Sequence, residues 1–334
     1  GAVAASAPVA ARLAEALGGG DGRFRCAAAV AVGFMGSSAL EHVDALLALL
    51  RDAFSELAPD ALTVGGGRPR LPAECRSAKC AGCLALGRIV ASGAASLDVE
   101  RVAEEVARLL LDDHWEVRLV ACEALGCMGA RARKHSSKVA ALFDDPRHAL
   151  RAQAAYACGG MGHPDCAARV AELLADKSPA VREAAARALP GFKEEGDRHL
   201  GKLSELLVDA STCVRVAAVE TLAVMGERGQ LYASAVAQRL AAPEGEEVDS
   251  VRLAALKALG LMAERGAAYS DLVAKYLEDP SPQLRQAAEL AMDRLSRRGR
   301  DAGLLGISHV SYGENEGYGV TEGHVMHGDV SFAE

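Results

Sequence analysis

Aromatic residues are scarce in this chain: they make up 4% of it, with a single tryptophan, Trp115. Sandwiches and barrels fill their cores from β-branched and aromatic strands, so so few rings with half the residues apolar suits closely packed Ala/Leu helices instead. The same scarcity removes the stacking platforms on which single-stranded nucleic acid is held. Positive charge is also short, with 37 Lys and Arg against 45 Asp and Glu and a formal net charge of −8. Such a balance excludes a protein whose main task is to coat nucleic acid or an anionic membrane. Long apolar runs are missing too. The longest, Cys26 to Met35, falls well short of the roughly 18–20 residues that span a bilayer, so no transmembrane segment is expected. The glycine runs at 18–20 and 65–67 lack the Lys-Ser/Thr pair and the strand-to-helix setting of a phosphate-binding loop.

What the chain does have is a repeat. Around Arg118 stands Glu116-Val117-Arg118-Leu119-Val120-Ala121-Cys122-Glu123-Ala124-Leu125-Gly126-Cys127-Met128-Gly129, and degraded copies centre on Arg25, Lys79, Arg151, Arg182, Arg215, Arg252 and Arg285. One position before the reference residue the copies carry Phe24, Ala78, Val117, Leu150, Val181, Val214, Val251 and Leu284. Three after it the residue is always tiny, from Ala28 and Gly82 to Ala255 and Ala288. Six after it stand Ala31, Ala85, Ala124, Ala157, Ala188, Thr221, Ala258 and Ala291; seven after it an apolar residue recurs, from Val32 to Met292. Offsets of −1, 3, 6 and 7 share one stripe of a 3.6-residue helix, so each copy is expected to bury the same narrow face, with the small residues admitting a close neighbour.

In chain order, Pro8 to Leu17 reads as a first helix, closed by Gly18-Gly19-Gly20-Asp21-Gly22. Ser37-Ser38 is expected to cap a long amphipathic helix carrying Leu40, Val43, Leu47, Leu50, Phe54 and Leu57. Residues 59–75, rich in Pro, Gly and Arg, form an inserted loop and account for the 54-residue gap between the first two copies. Helices over 97–111, 136–143 and 166–174 then alternate with the repeat helices. Six residues before the reference position an acid recurs, as Asp112, Asp145, Asp176, Asp209, Glu246 and Asp279, where a carboxylate can accept from backbone donors of the next helix. Gly129, Gly162 and Gly226 close their units.

Paired helices of this length, an Asp turn and Val-Arg-x-x-Ala-x-x-Ala-Leu-Gly-x-Met-Gly resemble HEAT repeats, in particular the HEAT-like repeats shared with phycobilisome-lyase proteins. The match is close over 112–129, 145–162, 209–226 and 246–262, and weaker at the Arg25 and Lys79 copies. Pro190 replaces the usual Gly in the Arg182 copy, and Asp293 replaces it in the last. The resemblance covers about residues 8 to 298 and implies an all-α fold, an α-solenoid of about eight HEAT-like helical hairpins, followed by a Gly-rich extended tail over 299–334. It also implies a ladder of ion pairs joining neighbouring units, with Asp145, Asp176 and Asp209 facing Arg118, Arg151, Arg182 and Arg215. The deoxyhypusine hydroxylases of this family bind iron through His-Glu dipeptides; none occurs here. Its alkylpurine glycosylases hold DNA on a basic, aromatic surface that this chain lacks. A bilin-handling, lyase-like activity remains as an alternative implied by the family alone.

Two constellations recommend themselves as metal sites. Cys75, Cys80 and Cys83 have the spacing of three ligands of a plant-type ferredoxin cluster, with Cys122 as a conceivable fourth. Cys80 and Cys83 occupy the register of Cys26 and Cys122, however, which makes them small packing residues, and that reading is preferred. His324 and His327, with Asp329 and His309, sit in a polar stretch where nothing fixes their geometry. The basic loop of Arg131, Arg133, Lys134 and Lys138, and Arg294, Arg297, Arg298 and Arg300 at the last helix end, suit helix C-termini. No cofactor is expected. Nine cysteines, several at inward positions, point to a reducing, intracellular compartment, cytoplasm or organelle interior, and the Ala-rich start at Gly1 permits a removed leader. The expected function is a non-enzymatic scaffold that binds protein partners in a larger assembly through its solenoid surface and its tail, with Tyr312, Tyr318, Val325, Met326 and Phe332 as anchors.

Overall fold

The computed structural model describes residues 7–19, 21–51, 73–93, 96–243 and 247–304. Among them there is no β-strand; the chain is an all-α solenoid. Each unit is a hairpin of a first and a second helix. The first helices are α1 (Ala7–Gly18), α3 (Val43–Arg51), α5 (Val99–Arg108), α7 (Ser136–Ala140), α9 (Ala167–Glu172), α12 (Leu200–Glu205), α15 (Ala233–Leu240) and α18 (Ser270–Ala274). Their partners are α2 (Gly22–Phe34), α4 (Ala73–Ala91), α6 (Trp115–Met128), α8 (His148–Met161), α10 (Pro179–Ala188), α13 (Thr212–Val224), α16 (Asp249–Leu261) and α19 (Pro282–Leu304). Short helices α11 (Glu194–Asp197), α14 (Gly226–Gln230) and α17 (Ala263–Ala267) turn the chain between the later units. The second helices stack in order, each packed on the one before and the one after.

This stacking explains the small residues. A Cβ placed on Gly33, Gly87, Gly126, Gly159 or Gly260, all eight positions after a reference residue, would lie within 2.8–3.0 Å of the Cα of an Ala six positions after the next one: Ala85, Ala124, Ala157, Ala188 and Ala291. Gly of one unit therefore meets Ala of the following unit at backbone contact. The face at offset 8 looks forward along the array and the face at offsets −1 and 6 looks back. Between them the stripe at offsets 3 and 7 is buried along the array, from Ala28 and Val32 to Ala288, with Met292 of the last unit only half-buried.

The first copy departs from the expected pattern. Phe24 is 68% exposed and Ala31 is exposed, whereas their equivalents Val117 and Ala124, Leu150 and Ala157, or Val181 and Ala188 are buried. The backward-looking face needs a preceding unit to cover it, and among the described residues α2 has none.

Boundaries differ from the sequence-based expectation in physically simple ways. Ser37-Ser38 does not cap a long helix; Gly36–His42 is a 3-10 turn and α3 begins at Val43, while Phe54 and Leu57 lie outside the described residues. The helices expected over 97–111, 136–143 and 166–174 each close in 3-10 geometry, as at Leu109–Leu111, Ala141–Asp144 and Leu173–Ala175, which tightens the last carbonyls before the acidic turn. Helix α4 starts at Ala73, inside the range assigned to the inserted loop, and α19 runs on to Leu304, past residue 298.

Eleven positions after the reference residue the backbone turns through positive φ in most units: Gly36 (54°), Gly129 (61°), Gly162 (60°) and Gly226 (60°). Two units make the same turn without glycine, at Lys193 (53°) and Ala263 (48°). L-residues resist this region because the Cβ crowds the neighbouring carbonyl.

Candidate functional site

The charged seam between units is the most regular feature of the surface. Arg151 donates from Nε and Nη2 to both carboxylate oxygens of Asp176 at 2.8 and 2.9 Å, and Arg182 makes the same fork with Asp209 at 2.7 and 2.8 Å. Arg118 reaches Asp145 at 3.2 Å. The remaining guanidinium nitrogen turns back to its own unit: Nη1 of Arg118, Arg151, Arg182, Arg215 and Arg285 donates to the backbone oxygen of Asp112, Asp145, Asp176, Asp209 and Asp279. The aspartates are shared in turn. Oδ1 of Asp112, Asp145, Asp176, Asp209 and Asp279 accepts the backbone N–H two residues on, fixing the start of the second helix. One Arg thus ties its own turn to the next, and one Asp both caps a helix and closes a rung.

Three rung members lie outside the set the resemblance implied. Lys79, 1% exposed, donates to Asp112 Oδ2 at 2.7 Å and fills the Arg position of its unit. Arg215 pairs with Glu247, at 3.1 and 2.9 Å, one residue after the regular acid position, Glu246, which lies outside the described residues. The longer Glu side chain, placed one residue late by the insert before α16, still reaches the rung. The series ends at Arg252, whose Nη2 donates to the carbonyls of Ala242 and Pro243. Asp112 and Lys79 were visible as repeat positions; the shift to Glu247 leaves no sequence signal.

Burial alone would push the carboxyls of Asp112, Asp176 and Asp209 up. Their hydrogen bonds to Lys79, Arg151 and Arg182, and to the N–H groups of His114, Ser178 and Ser211, outweigh it and hold all three below the ordinary aspartate value. Charges used this way tie each unit to the next. The basic loop is consumed similarly: Arg131 donates to the Val90 carbonyl, Arg133 to the Met161 carbonyl, Lys134 to Glu100 and Lys138 to Glu104. The side chains of Arg297, Arg298 and Arg300 lie outside the described residues.

The metal candidates separate. Cys75, Cys80 and Cys83 lie on one continuous helix, α4, which sets the outer two about 12 Å apart along its axis and prevents the enclosing wrap a cluster needs. The side chain of Cys75 is outside the described residues. Cys83 and Cys80 face the carbonyls of Val120 and Glu116 on α6 at 3.8 and 4.0 Å. Burial pushes the Cys80 thiol up to about 11 and the Cys122 thiol up to about 12, so neither is a ready thiolate ligand. Among the described residues no three metal-ligating side chains converge. His309, His324, His327 and Asp329 lie outside the described residues, as do Tyr312, Tyr318, Val325, Met326 and Phe332.

What the ladder leaves free is the outer face of the second helices, at offsets 5 and 9. In the central and later units it presents Tyr156, Arg187, Glu220, Val224, Lys257 and Leu261. Arg187 bridges units by donating to Glu220 at 2.7 Å and to Glu183 at 3.3 Å. Tyr156 is 41% exposed, Val224 52% and Leu261 37%, so rings and aliphatic groups alternate with charge along one strip. Burial pushes the Tyr156 hydroxyl up, so it stays protonated.

The repeat seen in this geometry has a name. Residues 136–223 match the family model for HEAT repeats and residues 104–131 match that for a single HEAT repeat. Those two segments carry HEAT repeats. Among solved structures, Kap121p bound to Nup53p is similar in fold, with TM-score 0.58 and 17% identity over 89% of the present chain and 34% of that one. The chain therefore spans about a third of that structure's length. A weaker likeness, TM-score 0.46 at 20% identity, links it to the complex of CpcE and CpcF of phycocyanin lyase from Nostoc sp. PCC7120, over 88% of this chain and 97% of that one. No curated protein sequence matches the chain. Among the described residues no helix is long and apolar enough to cross a membrane.

Proposed function

We propose that the protein is a non-enzymatic scaffold that holds a protein partner, as a subunit or assembly factor of a larger complex. The observation that carries this reading is the strip of Tyr156, Arg187, Glu220, Val224, Lys257 and Leu261, which lies outside both the packing stripe and the ladder. A rigid stack of hairpins offers such a strip with little ordering cost on binding. Alternating apolar and charged groups of both signs suit a polypeptide surface that carries the complementary pattern better than a uniformly charged polymer. The tail over 299–334, with Tyr312, Tyr318, Val325, Met326 and Phe332, supplies a second contact in this reading, and the segment over 59–75 a third.

The test is affinity capture from the native source with three baits: the full chain, a strip variant carrying Tyr156→Ala with Lys257→Glu, and a chain ending at residue 304. The reading expects a defined set of proteins on the full chain, reduced on both variants while their melting curves stay unchanged. Identical capture by all three baits overturns it, as does a shifted, protein-bound absorbance spectrum after incubation with a bilin, which would mark a chromophore-handling protein.

A further inference from the structure

The two ends of the array are built differently. At the C-terminal end the forward-looking face of α19 is polar: Gln286, Glu289 and Asp293 stand at offsets 1, 4 and 8 and are exposed, where earlier units place small or apolar residues such as Cys122 and Gly126. Asp293 occupies the very position at which glycine elsewhere admits the next helix. That end is finished, as a terminal repeat must be to stay soluble. At the N-terminal end of the described array, α2 carries no charge between Arg25 and Phe34, and among the described residues nothing covers its apolar stripe. Phe24 is 68% exposed and Phe34 74% exposed, with Ala27 and Ala31 exposed between them.

We infer that this stripe is a docking face for a second copy of the same chain, with the two α2 helices packed antiparallel about a two-fold axis. Two observations choose that occupant. First, a head-to-tail stack is excluded by the other end, since Phe24 and Phe34 would bury Glu289 and Asp293 without partners. Two copies can join through this face only like to like, which is the isologous arrangement. Second, the stripe reads the same in both directions: Phe24, Ala27, Ala31 and Phe34 are symmetric about Ala29. A two-fold axis there sets each Phe24 opposite the other copy's Phe34 and each Ala27 opposite the other copy's Ala31, so large residues flank a small-residue crossing. Arg88 of the next unit, whose guanidinium lies 4.6 Å from the Phe34 ring centroid, holds that ring. Phe34 shares the offset-9 row of the outer face, but the contact lies in the first unit, three units before Tyr156, and does not rest on the partner reading.

Sedimentation equilibrium of the full chain across a concentration series tests the inference. The expected result is a species of twice the 34.6 kDa chain mass. Phe24→Glu with Phe34→Glu should give the monomer mass with an unchanged helical melt, because both rings are exposed. Phe24→Lys with Phe34→Glu should restore the dimer, since each Lys then faces a Glu of the other copy. Leu290→Glu, at the finished end, should leave the mass as in the unsubstituted chain. A chain that stays monomeric at every concentration overturns the proposal, and so does a dimer that survives the double Glu substitution. Failure of the Lys/Glu pair to restore the dimer overturns the two-fold pairing.

Discussion

The guanidinium of Arg182 holds two units at once: it forks onto Asp209 of the next unit at 2.7 and 2.8 Å while Nη1 donates 2.8 Å to the backbone oxygen of Asp176 in its own. Only a planar group with donors on three nitrogens serves both sides. Arg182→Ala should destabilise the chain by about 3 kcal/mol, because it leaves the half-buried Asp209 uncompensated. Arg182→Lys, which brings a single donor nitrogen in place of three, should cost less than the alanine change. Urea midpoints of the two variants check the order; equal loss in both would contradict it.

Two glycine substitutions should move stability in opposite directions. Gly126→Ala puts a Cβ 2.9 Å from the Cα of Ala157, which is backbone and cannot step aside, so a loss of roughly 1–3 kcal/mol is expected, as for other overpacked contacts. Gly201, in α12, has nothing within 4 Å of its added Cβ, and Gly201→Ala should stabilise by roughly 0.5–1 kcal/mol through helix propensity. Ala185→Leu, at a fully buried small position, belongs with the first of these. Thermal melts of the three variants decide.

Lys193 stands at φ 53° and ψ −126°, close to Gly129 at 61° and −140° and at the positive φ that four other units give to glycine. Lys193→Gly should stabilise by about 1 kcal/mol, the relieved strain exceeding the added freedom of the unfolded chain. A lowered melting temperature would show that the Lys side chain contributes more than its backbone costs.

Acid should loosen the array from its ladder. Asp112, Asp176 and Asp209 bind protons more weakly folded than unfolded, so at low pH the unfolded chain takes up more protons. Their contribution is complete above the ordinary aspartate value of about 3.9 and is lost as the pH falls through the folded values. Urea midpoints measured downward from pH 6 should hold and then drop below about pH 4. Asp176→Asn with Asp209→Asn should start lower and fall less steeply.

Thiol accessibility follows the packing. Among the described cysteines, Cys127 and Cys213 are exposed and the rest are half-buried or buried. Brief alkylation of the folded chain, followed by peptide mapping, should label these two first. Early labelling of Cys83 or Cys122 would mean that the α4–α6 contact opens readily.

The sequence by itself determined the class and period of this fold. A reference Arg, a tiny residue three positions on and an acid six positions before it are enough to place the second helices and their turns, because local spacing on a helix fixes which residues share a face. The same periodicity made Phe24 and Ala31 look like core. Whether a face is core depends on what stands against it, and only the stacked units show that α2 has nothing described on its backward side. The rung at Glu247 was likewise out of reach, since an insert shifts the acid while side-chain length restores the contact across space. The cysteines show the converse: the repeat register already read Cys80 and Cys83 as packing residues, and the continuous helix adds that it sets Cys75, Cys80 and Cys83 apart.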